Sequence, residues 1–149
     1  MPKKATAEDA QIIMRLYDLR REPEMRKARH WYAGWWPRSA DDILKVLQAG
    51  GTQENAWFRQ VNGYWDMAAS FVLHGVVNES LFFDSSGELW FVLAKLQPFL
   101  KEVRQRANIP QGFVRVEKVA TRTKDGRDRL QMFLKRADAS RAAIAGNAP

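Results

Sequence analysis

From Trp57 onward the chain carries an apolar rhythm that leaves few folds open: Trp57, Val61, Tyr64, Ala68, Phe71 and Gly75 step by 4, 3, 4, 3 and 4 residues. At about 100° per residue these positions share one face of a helix. Phe58, Trp65, Ala69, Val72 and Val76 widen that face, while Arg59, Gly63, Asp66, Ser70 and His74 lie opposite. A strand would send alternate members of the set to opposite sides. The segment 52–76 therefore reads as a long amphipathic helix against a core.

A second seam follows at Leu89, Leu93, Leu96, Leu100 and Val103, predicting a helix over 85–106. Pro98 is expected to kink or divide it near Gln97, because proline has no N–H for the Ala94 carbonyl. The short 77–84 connection, with Leu81, Phe82 and Phe83 in a loop, makes the two long helices a central antiparallel pair. Trp90, Phe91, Val92 and Phe99 extend the apolar surface over more than half the circumference, so this helix is either enclosed on several sides or forms a subunit interface. The expectation is a homodimer through those four residues.

Helix punctuation supplies the rest. Thr6 before Ala7, Glu8 and Asp9 reads as an N-cap, opening a helix to about Arg21. Pro23 interrupts it, a second helix covers Glu24 to Trp35, and Pro37 ends that one. Ser39 caps a short helix over Ala40 to Ala49, stopped by Gly50-Gly51. Between 113 and 134 two readings compete. Phe113-Val114-Arg115-Val116 and Leu130-Gln131-Met132 alternate around Asp125-Gly126, as in a β-hairpin. Helical spacing of Phe113, Val116 and Ala120, then Leu130, Phe133, Leu134, Ala137 and Ile144, favours two helices. The fold class is all-α: a single-domain bundle of about six helices over 7–145, with a disordered tail at 1–6 and a frayed one at 146–149.

Composition removes several function classes. The 149 residues contain no cysteine, excluding disulfides, thiolate-held metals and thiol catalysis. No apolar run approaches the roughly 20 residues of a membrane span, and the first residues do not read as a signal peptide. A cytoplasmic protein without a membrane partner is expected. The net charge of +7 comes from the last third: residues 1–100 hold 12 basic and 12 acidic side chains, while 101–149 hold 12 basic and 5 acidic, and 12 − 5 = 7. This segment is the expected anion-binding surface, centred on Arg122, Lys124, Arg127 and Arg129, and would hold phosphates by counterion release.

From Arg20 to about Lys118 the chain resembles an uncharacterised bacterial group related to domain of unknown function 4760. The resemblance rests on Glu24-Met25-Arg26-Lys27-Ala28-Arg29, Tyr64-Trp65-Asp66-Met67-Ala68-Ala69-Ser70, Gly75 with Glu79, and Leu96-Gln97-Pro98-Phe99-Leu100. It implies an all-helical fold and carries over no catalytic residue. Some members resemble membrane-anchored proteins, and this sequence lacks a spanning segment.

The densest aromatic run is His30-Trp31-Tyr32-Ala33-Gly34-Trp35-Trp36-Pro37, with Arg26, Lys27 and Arg29 beside it. Trp31, Trp35 and Trp36 either close the end of a helix against its neighbours or line a ligand pocket. His30 and His74 are the only histidines, and neither falls in a metal or catalytic spacing. The acids Asp66, Glu79, Asp84 and Glu88 would converge only across a helix hairpin, and lack the Glu-x-x-His pairing of di-iron bundles. No catalytic residue, cofactor or metal is expected. The reading is a non-catalytic interaction or scaffold module that self-associates. A nucleic-acid-associated protein using residues 101–141 is the alternative, and a hydrophobic-ligand binder or enzyme at the tryptophan cluster comes third.

Overall fold

The computed structural model describes residues 3–147, and every regular element among them is helical. In chain order these are α1 (Ala7–Arg20), α2 (Pro23–Gly34), α3 (Ala40–Leu47), α4 (Gln53–Leu73), α5 (Glu79–Ser85), α6 (Gly87–Leu96), α7 (Leu100–Arg106), α8 (Val114–Thr121) and α9 (Lys124–Gly146). The all-α expectation holds, with more and shorter helices than the six expected.

The caps expected at Thr6 and Ser39 form, and others join them. Thr6 and Asp9 form a reciprocal capping box on α1, and Ser39 and Thr52 accept backbone N–H groups at the starts of α3 and α4. Gly75, at φ +69°, takes the left-handed conformation that stops α4. Pro98 sits in a 3-10 turn, Gln97–Phe99, that divides the expected 85–106 helix into α6 and α7.

Two expectations are corrected. Leu81, Phe82 and Phe83 are not in a loop but in α5, which Asn78 caps by accepting from the Leu81 N–H at 2.8 Å; Phe82 and Phe83 are buried. The two long helices are not a close-packed pair. α4 packs chiefly on α2 and α8, whereas α6 packs on α9, because α6 is apolar all round and takes several neighbours. Of the expected disordered tail, residues 3–6 are placed: the Lys3 carbonyl accepts from Asn78 Nδ2 at 2.6 Å, while Met1 and Pro2 lie outside the described residues. α9 runs on to Gly146, into the expected frayed segment, whose Ala148 and Pro149 also lie outside them.

The two-helix reading of 113–134 holds. Asp125-Gly126 falls in the first turn of α9, capped by Thr123, and not at a hairpin turn. Gly126 is there for close approach: a Cβ would stand 2.6 Å from the Ala120 carbonyl oxygen of α8. Its own carbonyl accepts from Trp90 Nε1 at 2.9 Å.

Two of the four residues expected at a subunit interface face inward. Trp90 and Val92 are enclosed within the chain, 0% and 2% exposed. Trp90 meets Phe83 edge-on at 4.7 Å under the Arg129 guanidinium, and the Val92 carbonyl accepts from the Tyr32 hydroxyl. Phe91 and Phe99 are half-buried, their rings facing Lys95 and Arg141. The broad apolar surface of α6 is the core of one chain.

Candidate functional site: an indole groove on α2

α2 begins where Pro23 occupies its first turn and Glu22 accepts from the Met25 N–H at 2.9 Å. Met25, Ala28 and Tyr32, spaced 3 and 4 apart, are buried. The rest of the helix presents Arg26, Lys27, His30, Trp31 and Gly34 outward. Trp31 stacks on Trp35 with ring centroids 5.4 Å apart and planes 17° from parallel. Trp57, from the first turn of α4, tilts against Trp31 at 6.3 Å. These three half-buried indoles, with Pro23, Arg26, Lys27, His30 and Gly34, line an open groove of about 850 Å³.

Of the three tryptophans singled out by the sequence, Trp31 and Trp35 come together in this groove. Trp36 turns away, edge-on to Phe91 at 5.9 Å and over the Lys95 ammonium at 3.9 Å, and shares with the other two a second hollow of about 450 Å³ beside Arg38 and Lys45. Trp57 was assigned to the α4 core. Its signal was its place in the first turn, where an apolar face reaches the helix end and is covered on one side only.

Lys95 holds the groove from below. It is 0% exposed in the last turn of α6, and its Nζ donates to the carbonyl oxygens of Tyr32, of Ala33 at 3.1 Å and of Trp35 at 2.6 Å. These include terminal carbonyls of α2, which carry the negative end of the helix dipole. The ammonium also faces the rings of Trp36, Phe91 and Tyr32. Burial, and then the nearby Arg141, push its pKa down to about 7. Arg141 of α9 completes the frame, donating to the carbonyls of Pro37 at 2.8 Å and Lys95 at 2.9 Å. A second clamp lies on the other flank of α2. Arg29 binds the Glu88 carboxylate through Nε and Nη2 at 2.6–3.0 Å, and Trp65 Nε1 donates to the same carboxylate at 3.2 Å.

The groove's rim is cationic. Lys27 pairs with Glu24 at 3.0 Å, an exposed contact that holds the Glu24 carboxyl below its ordinary range. Arg26 makes no ion pair among the described residues.

The candidate anion-binding residues each have partners within the chain. Arg122 pairs with Glu79 and Lys124 with Asp128, both at 2.6 Å, and Arg127 donates to the Thr121 carbonyl. Arg129 binds Asp125 and the Phe83 carbonyl. The expected anion-binding set is thus engaged within the chain, although exposed pairs of this kind hold by only about 0–1 kcal/mol. Three of the four acids likewise have partners: Asp66 pairs with Arg115, Glu79 with Arg122 and Glu88 with Arg29. Among the described residues no three His, Asp or Glu side chains are placed to hold a metal ion, and no helix is long and apolar enough to cross a membrane.

The family model described as Domain of unknown function (DUF4760) matches residues 5–123, from the residue before the N-cap of α1 to the N-cap of α9. The chain belongs to this family. The DUF4760 match spans every residue that lines the indole groove and also Lys95, while α9, with Arg129 and Arg141, lies beyond it. Among curated proteins and solved structures, none matches the chain.

Proposed function

We propose that this DUF4760 protein is a non-catalytic binding module whose working surface is the Trp31–Trp35–Trp57 groove. One observation carries the reading: three indoles remain only partly buried around an open groove of about 850 Å³ although the chain has a core able to enclose Trp65 and Trp90 almost completely. Leaving large apolar rings in contact with water forfeits about 25 cal/mol per Å² of apolar surface, a cost that a partner recovers on binding. The framework under the groove supports it, since Lys95, Arg141, Arg29 and Glu88 fix α2 and its outgoing turn before any ligand arrives. The groove is preferred to self-association because Trp90 and Val92, two of the four residues that would carry it, are buried in their own chain.

The test is a fragment screen read by the indole N–H resonances in a ¹H–¹⁵N correlation spectrum. Aromatic and branched aliphatic fragments should shift the signals of Trp31, Trp35 and Trp57 and leave those of Trp65 and Trp90 in place. Shifts confined to other sites, or none at millimolar fragment, would dismiss the groove as a binding surface.

A further inference from the structure

Resting on that reading, we infer that the groove takes a short amphipathic segment of a partner protein, anchored by an aromatic or leucine side chain on the indoles and by a carboxylate on Arg26.

Shape argues for a segment rather than a small molecule. Small-ligand sites enclose most of their ligand. This groove is a trough, walled along α2 by residues from Pro23 to Gly34 and closed at one side by Trp57. Eleven helical rises make it about 17 Å long. That length matches about three turns of a docked helix, the span over which a partner's i, i+3, i+4 and i+7 side chains face one way.

Charge argues for the sign. Arg26 lacks an intrachain ion pair among the described residues, whereas Lys27 shares its charge with Glu24, whose carboxylate stands at the rim beside Trp57. Arg26 sits five residues before Trp31 and eight before Gly34. A partner acid one turn from its apolar anchor would meet the guanidinium while the anchor lies on Trp31. The unpaired cation at one end and the indoles at the other give the trough a direction.

Gly34 supplies an internal control. It lies in the groove wall within the last turn of α2, and a Cβ there would have open space, with nothing within 4 Å. A larger side chain at this position fills the trough without disturbing the fold.

The full chain, immobilised, is panned against a phage-displayed library of random peptides, and enriched sequences are synthesised and titrated by fluorescence anisotropy. Enriched peptides should place Phe, Trp or Leu three or four positions from Asp or Glu. Gly34→Met, with an unchanged circular dichroism spectrum, should weaken them about ten-fold or more. Arg26→Glu should weaken them about five-fold, and exchanging the peptide acid for lysine should restore binding to that variant. Peptides selected without an acid, or indifferent to Arg26→Glu, would overturn the proposal while leaving the groove a binding surface. An absence of enriched peptides, with fragments still shifting the groove indoles, would overturn it in favour of a small-molecule site. Peptides indifferent to Gly34→Met would overturn both the proposal and the groove.

Discussion

Lys95 donates from its ammonium to the carbonyl oxygen of Trp35 at 2.6 Å, so the residue that anchors the end of the indole stack is held by a side chain from the middle of the core. The contact joins positions 60 residues apart and ties the presentation of the groove to the integrity of α6. Removing the donor should therefore disturb stability and groove together. Lys95→Met keeps the apolar stem and leaves the carbonyls of Tyr32, Ala33 and Trp35 without the ammonium. An unmet buried acceptor costs about 1–3 kcal/mol, and two of the three have lost their main partner, so a loss of about 3 kcal/mol is expected in urea unfolding. A change within 0.5 kcal/mol would show that water or rearrangement replaces the ammonium.

The same lysine predicts how stability changes with pH. Its pKa is about 7 in the folded chain and near the ordinary 10.5 when unfolded. Between these values the unfolded state binds the extra proton, so stability rises as pH climbs from about 7 towards 10 and is lowest, and flat in this contribution, below 7. The charged and titratable groups facing Lys95 are Arg141 from α9 and Tyr32 from α2, and burial pushes the Tyr32 pKa up, out of this range. The difference in urea midpoint between the parent and Lys95→Met should widen in the parent's favour from pH 6.5 to 9. A constant difference would mean that the three carbonyls keep the proton on throughout.

The Arg29–Glu88 pair makes a separate prediction, because one carboxylate serves both a guanidinium and the Trp65 indole. Glu88→Gln retains an acceptor for Trp65 but gives up the charge. With the pair only partly exposed, a double-mutant cycle with Arg29→Met should give a coupling of about 1–3 kcal/mol, above the range for exposed pairs. A coupling below 0.3 kcal/mol would reduce the pair to a surface contact.

Where side-chain chemistry acts locally, the sequence was legible. Thr6, Ser39 and Pro98 start or break helices through their own backbones and hydroxyls, and each does so where expected. Phe82 and Phe83 were misassigned because a seven-residue helix carries too few turns to show a period, and Asn78 was its only local mark. Lys95 was illegible for a different reason. A helical wheel assigns a charge to solvent, whereas its partners here are backbone carbonyls about 60 residues away, which no side-chain pattern reports. The all-round apolarity of α6 showed that something covers it without showing what.

Stability should also separate the two classes of tryptophan. Trp65 and Trp90 are almost wholly enclosed, and cutting either to alanine should cost about 3–5 kcal/mol. Trp31 and Trp57 are only partly buried against the core, so the same change should cost less than half as much. Urea midpoints for the four single variants give the comparison. Equal losses at Trp31 and Trp90 would make the groove indoles part of the core and remove the energetic case for a partner.

α9 lies outside the DUF4760 match yet closes the core. It does so with little apolar area: Leu130 and Ala137 are its buried hydrophobic residues, and Phe133 and Leu134 pack partly against the core. Its other contacts come from the Gly126 carbonyl on Trp90 and from two guanidinium groups that reach inward, Arg129 to the Phe83 carbonyl and Arg141 to those of Pro37 and Lys95. A chain ended after residue 123 would uncover Trp90 and leave those carbonyls to water. Fully burying a side chain as large as leucine or phenylalanine is worth about 1.5–3 kcal/mol, and α9 contributes several partial burials at once. The sum is comparable with the roughly 5–15 kcal/mol that holds a domain together. The shortened chain should therefore retain helical circular dichroism but lose its sharp urea transition, shift its tryptophan emission to the red and bind a hydrophobic dye. Arg141→Ala in the full chain should reproduce a smaller part of this, loosening the turn through Pro37 without uncovering Trp90. A cooperative transition in the 1–123 chain, at the parent's midpoint, would show that α1–α8 fold as a complete unit and that α9 only rests on it.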